Sequence, residues 1–188
     1  MNGFSPEERD IRPHPLAEAL IDRLSAAAHP RVLEIGGGSG RNRNALQRAG
    51  FEVHSFDAPP EANREFQAAL STHALLHGTQ EDIAASLARI ARALESGAPL
   101  FATFGSRRDF RYGTGRQIDR HTFAAESGEE SGVPHTYFDA EDLRERLVPL
   151  FGIESLREVC VDDVVGRWAH ARPSRGRFHF FVIACTLR

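Results

Sequence analysis

The chain has 188 residues, a formal charge of −3 and 41% apolar side chains, which bounds it to one ordinary globular domain with a core of its own. Such a balance gives no basic face for nucleic acid, and no window approaches a membrane span. All 23 basic residues are Arg, which reads as the codon bias of a GC-rich genome rather than as an arginine-specific function.

The opening "MNGFSPEERDIRPHP" is charged and broken by proline, with no apolar core of signal-peptide length. "HPLAEALIDRLSAAAH" spaces Leu16, Leu20, Ile21 and Leu24 at helical intervals. "RVLEI" is an apolar run of strand length, and "GRNRNALQRAG" follows as a helix stopped by Gly50. "FEVHSFD" alternates as a strand does, with Asp57 at its end. "TQEDIAASLARIARALESG" opens on Thr79 with Asp82 three residues on, repeats Ile83, Leu87, Ile90 and Leu94, and ends at Gly97: a capped amphipathic helix. "APLFATFGS" is a buried strand, "FDAEDLRERLVPLFG" a second capped helix, and "IESLREVCVDD" and "RFHFFVIACTLR" two late strands. Cys160 and Cys185 lie far apart in apolar surroundings and read as free thiols. Together these features predict a cytoplasmic bacterial protein of α/β class with a largely parallel sheet.

The four glycines in "GGGSG" sit at a strand-to-helix turn, where missing side chains let a ligand touch backbone and the next helix offers free N–H groups. Gly36, Gly38 and Gly40 fit G-x-G-x-G, not the G-x-G-x-x-G of nicotinamide enzymes, because position 41 is Arg. Glu34 precedes them, and Asp57 lies 21 residues past Gly36, where a carboxylate can accept both hydroxyls of a ribose. A nucleoside ligand explains this set better than a turn that only packs helix on strand.

E-x-G-x-G-x-G followed by an acid at the second strand end resembles the first two motifs of the class I S-adenosylmethionine-dependent methyltransferases. "STHALLHGTQEDIAASLARIARALESGAPLFATFGS" resembles the fourth strand, following helix and fifth strand of the bacterial small-molecule, tellurite-resistance-like kind, and "GVPHTYFDAEDLRERLVPLFGIESLREV" their helix before the sixth strand. The resemblance covers most of residues 31 to 187. It implies a Rossmann-like sheet, mostly parallel with an antiparallel last strand, and S-adenosyl-L-methionine as cofactor. By the same resemblance Glu34, Gly36, Gly38 and Gly40 face the methionyl part, Asp57 holds the ribose, and Ser71 and Thr72 border the methyl group.

In that family a helix, a third strand and a loop separate the ribose acid from the fourth strand. Here only "APPEANREFQA" does. About ten extended residues reach roughly 30 Å, enough for the crossover but not for a full helix. One edge strand is therefore expected to be absent, leaving "FEVHSFD" at the edge, and no residue carries over to the adenine wall. The organisation expected is a single domain: an N-terminal helical segment at 1–30, a cofactor half at 31–105, a long loop or lid at 106–138, and a C-terminal helix with two strands at 139–188.

For the acceptor, His73 and His77 follow the fourth strand beside the expected methyl position and suit proton transfer near neutral pH, although each also reads as a packing or capping histidine. Their i, i+4 spacing lacks any H-E-x-x-H or Cys/His set, so no metal is expected. Arg107, Arg108 and Tyr112 are placed to hold an anionic or aromatic substrate, the alternative being a solvated basic loop. His121, His135, Trp168 and His170 are candidates to close the pocket. The expectation is methyl transfer to a small molecule, with neither nucleic acid nor membrane as partner. Three alternatives stand beside it: a nicotinamide oxidoreductase, a catalytically impaired binding module, and a homodimer whose second chain supplies the missing wall.

Overall fold

The computed structural model describes residues 13–128, 130–161 and 176–187. Element order is α1 (Pro15–Leu24), β1 (Arg31–Ile35), α2 (Arg41–Arg48), β2 (Glu52–Phe56), β3 (Ala68–Ser71), α3 (Gln80–Ala93), β4 (Pro99–Ser106), β5 (Arg116–Asp119), β6 (Thr122–Ala124), β7 (Pro134–Phe138), α4 (Ala140–Leu147), β8 (Phe151–Cys160) and β9 (Phe178–Thr186). The sheet runs β2-β1-β3-β4, all parallel. Beyond β4 it forks. β9 pairs antiparallel with β4 from Pro99 to Gly105 and carries β8, while β7 joins only the end of β4, at Gly105 and Ser106.

Alternation along the strands divides the core. Val32 and Phe101 face Leu16 and Leu20 of α1 and Leu46 of α2. Leu33, Ile35, Leu100 and Phe104 face Ile83, Leu87 and Ile90 of α3 and Leu143 and Leu147 of α4. The α3 start is the expected capping box, with Thr79 Oγ1 accepting from Asp82 N and Asp82 Oδ2 accepting from Thr79 N.

Two expectations meet the structure directly. Among the described residues no strand lies between Phe56 and Ala68, and none pairs with the outer side of β2. The stretch 106–138, expected to be a loop or lid, instead carries an antiparallel β5–β6–β7 meander attached to β4. Its strands are too short and too polar on one face to announce themselves. Among the described residues no helix is long and apolar enough to cross a membrane.

Candidate functional site

β1 lies between β2 and β3, so the chain leaves β1 and β3 toward opposite faces of the sheet. In such sheets the crevice at the strand ends, where direction reverses, is the natural ligand site. A cavity of about 540 Å³ opens there, within the usual range for small-molecule pockets. Its near wall is Gly36, Gly37, Gly38 and Ser39 after β1, with Asp57 after β2. Its far wall brings together Thr72, His73, His77, Arg111, Glu130 and His179.

Backbone geometry explains the glycines at two positions. Gly36 has φ +72°, and a Cβ there would lie 2.5 Å from the Cβ of Ala74. Gly38 has φ +47° with open space around a would-be Cβ, so its bare backbone borders the cavity. Glu34 is buried beneath this turn. Its Oε2 accepts from Ser55 Oγ at 2.5 Å, and its Oε1 is out of solvent without a hydrogen bond. Asp57 is exposed on the cavity rim.

Ser71 is not on the cavity surface: it is fully buried at the end of β3. Thr72 is on it, its Oγ1 accepting from Asn42 Nδ2 at 2.9 Å. Asn42 Oδ1 in turn accepts from His14 N at 2.9 Å, tying the first helix of the chain to the site. His73 sits at φ +63° with its N–H on Thr103 Oγ1 at 2.7 Å, between the rings of His14 and His179 at 5.6 and 4.9 Å. Burial, then the neighbouring His179 and His14, hold its pKa well below the usual histidine range, so it stays neutral. His14 and His179 are pushed down to about 3, by burial first and then by Arg41 and Arg111 respectively. His14 Nδ1 accepts from Leu16 N at 3.1 Å, as only an unprotonated nitrogen can. His73 thus lines the cavity as a neutral imidazole.

His77 does line the cavity, half exposed, with Nε2 3.6 Å from Glu130 Oε1. His135 is buried on β7 with Nε2 3.2 Å from Glu130 Oε2, short of hydrogen-bond geometry. These two imidazoles draw the Glu130 pKa far below the usual carboxylate range, against its burial.

The other expected substrate residues lie elsewhere. Arg108 pairs with Glu158 at 2.7 Å and stacks on Phe178 at 4.3 Å, beside a separate shallow pocket. Arg107 is held by Asp139 and Asp142. Tyr112 donates to or accepts from His121 Nδ1 at 2.9 Å and packs on Phe123 and Tyr137, inside the meander. Both basic residues are spent on structural ion pairs, and the phenol on an aromatic cluster. Trp168 and His170 fall outside the described residues. Sequence reading missed His14, Arg41, Asn42, Arg111, Glu130, Arg177 and His179. Only Arg41 and Asn42 carried a local signal, as the first turn of the helix after the glycines.

Fold and site together define a doubly wound α/β domain with a cavity at its switch point. The chain belongs to the methyltransferase-domain family, whose model matches residues 9–181. A search of curated proteins gives no match. Among solved structures it is similar to a Burkholderia thailandensis 1,6-didemethyltoxoflavin N1-methyltransferase with 1,6-didemethyltoxoflavin and S-adenosylhomocysteine bound (18% identity, TM-score 0.62, covering 95% of this chain and 79% of that one). It is also similar to a SAM-dependent methyltransferase of Methanosarcina mazei (17%, TM-score 0.60, 99% of each chain). A third is the [4+2]-cyclase SpnF (18%, TM-score 0.61, 92% and 80%), so the fold alone does not determine the reaction.

Proposed function

We propose that this chain transfers a methyl group from S-adenosyl-L-methionine to a small polar acceptor bound in the 540 Å³ cavity. The observation that carries the reading is that one cavity has the glycine turn and Asp57 on one side and a histidine–carboxylate group on the other. The residues present fit the cofactor. Gly38 brings bare backbone to the cavity, and Glu34, buried beneath that turn with one oxygen not hydrogen-bonded, favours a cationic amino group above it. Asp57 suits the ribose hydroxyls, and Thr72 and His73 suit the region beside the methyl group.

When bound, S-adenosyl-L-methionine supplies an electrophilic methyl group on a sulfonium. The protein then has to align an acceptor and dispose of its proton. His77, half exposed on the cavity wall and oriented by Glu130, is our choice for that end. His73, neutral and part-buried, shapes the wall. Arg111, held by Asp109 at 2.9 Å, and Arg41 and Arg177 line the same end, whose polar side chains favour a polar acceptor.

The short link from Phe56 to Ala68 favours a second reading, a binding domain with little or no turnover, because the purine end of the cofactor then meets an open sheet edge. The test is incubation with S-adenosylmethionine and panels of small hydroxy, amino and thiol compounds, with S-adenosylhomocysteine read by mass spectrometry. Acceptor-dependent release, reduced about 100-fold or more in His77→Ala, supports methyl transfer. Binding of the cofactor with no release from any acceptor supports the second reading.

A further inference from the structure

We propose that His77, Glu130 and His135 form a binding site for a single first-row divalent cation of the zinc type, open toward the cavity. The three side chains come from the loop after β3, the turn before β7 and β7 itself, and each offers a ligand atom within 4.8 Å of the others. The two nitrogen–oxygen separations, each to a different oxygen of Glu130, are 3.2 and 3.6 Å. Ligands about 2.0–2.1 Å from a tetrahedral zinc ion lie roughly 3.3 Å from one another.

The tautomer of His135 points the same way. Its Nδ1 is 2.9 Å from the carbonyl oxygen of Val133, which can only accept, so Nδ1 carries the hydrogen. In the neutral ring Nε2 then presents a lone pair. It is buried, makes no hydrogen bond, and faces a carboxylate oxygen at 3.2 Å. That contact is relieved by a positive charge between the two atoms, either a proton or a metal ion. An imidazole whose far nitrogen is anchored to a backbone carbonyl is also the usual outer arrangement of a metal-binding histidine.

The frame is preorganised. Gly78 N donates to Pro134 O and Thr136 N to Leu76 O, each at 2.8 Å, and Thr136 Oγ1 donates to Gly78 O at 2.7 Å. These bonds fix the backbone of both histidines, which form an isolated antiparallel bridge with rings 4.8 Å apart. The competing contact is Arg111, whose Nη1 lies 3.5 Å from Glu130 Oε2; its tie to Asp109 lets it give way. Two imidazoles and one carboxylate select zinc-like ions over magnesium or calcium, and three protein ligands leave a position free.

His77 and Glu130 line the cavity, so that position faces the acceptor. The role of the ion rests on the methyl-transfer reading, whereas the site itself does not. A hydroxyl bound to the cation loses its proton to solvent more readily. Its oxygen then forms the new C–O bond as the sulfonium S–C bond breaks, releasing the neutral thioether. With the cation bound His77 is its ligand, and the proton that His77 takes in the metal-free reading leaves from the cation-bound hydroxyl instead.

The experiment is calorimetric titration of the chelator-treated full chain with zinc chloride, with cobalt(II) absorption as the probe of geometry. One equivalent should bind, and Glu130→Gln, His77→Gln and His135→Gln should each weaken it about tenfold or more, while His29→Asn at an exposed remote site should not. Absence of saturable binding, or binding indifferent to Glu130→Gln and His77→Gln, overturns the site. Should His135→Gln fail to fold, the two surface variants decide. Titration of the same samples with S-adenosylhomocysteine separates the two ideas: zinc binding without nucleoside binding keeps the site and removes its methyl-transfer role.

Discussion

Ser55 donates its hydroxyl to Glu34 Oε2 at 2.5 Å, directly across the β1–β2 ladder, where the two residues are register partners. The bond fixes a buried carboxylate beneath the glycine turn, with Gly37 so close that a Cβ there would lie 3.0 Å from it. Ser55→Ala leaves that carboxylate with one partner fewer. The carboxylate is then no longer fixed beneath the turn, so affinity for S-adenosylhomocysteine should fall. Equal affinities of parent and variant by calorimetry would remove Glu34 from the site.

Gly36→Ala should be costly in two ways. The position has φ +72°, and the new Cβ meets that of Ala74 at 2.5 Å. We expect a lower melting temperature and loss of S-adenosylhomocysteine binding. The double variant with Ala74→Gly relieves the contact but not the backbone strain, so it should recover part of both. A single variant that melts and binds like the parent contradicts the turn geometry.

The histidine cluster predicts an acid-side loss of stability. His14 and His179 have folded pKa values pushed down to about 3, below the unfolded value of about 6.5. The unfolded chain therefore binds protons that the folded chain refuses. Stability is unaffected above about pH 6.5 and falls as pH drops toward 3, by up to ~1.4 kcal/mol per pH unit for each histidine. Urea unfolding between pH 6 and 4.5 should give a shallower slope for His179→Gln than for the parent. An identical slope would show that His179 is protonated in the folded protein.

Among the described residues β2 ends the sheet, and its Phe56 is 38% exposed beside Asp57. A purine on that edge loses apolar burial: roughly 100 Å² at about 25 cal/mol per Å² is ~2.5 kcal/mol. S-ribosylhomocysteine, which lacks adenine, should therefore bind a chain that sediments as a monomer less than about tenfold more weakly than S-adenosylhomocysteine. A hundredfold gap would mean that residues 57–67 build an adenine wall after all.

How much of this was legible in the sequence follows from how local each signal is. The glycine turn, Asp57 and the Thr79–Asp82 capping box are each written within a few residues of one another or at a fixed strand spacing. The far wall is not. Arg111, Glu130 and His179 come from three separate segments, and only the forked sheet beyond β4 brings them together. Residues 106–138 misled for a related reason. β5 is an exposed edge strand of four residues, and β6 has three, too short for alternation to stand out among Gly, Arg and Glu. Arg108 and Tyr112 had suitable chemistry but were already committed to Glu158 and His121.

The most direct measurement is calorimetric titration of the full chain with S-adenosylhomocysteine, parent beside Asp57→Ala. Asp57 is exposed on the cavity rim, so its removal should leave the fold intact. We expect saturable one-to-one binding by the parent, weakened by about 1–3 kcal/mol in the variant, five- to more than a hundredfold. No saturation by the parent up to millimolar ligand, or equal affinity of the two proteins, would contradict the assignment of this cavity to the methyl donor.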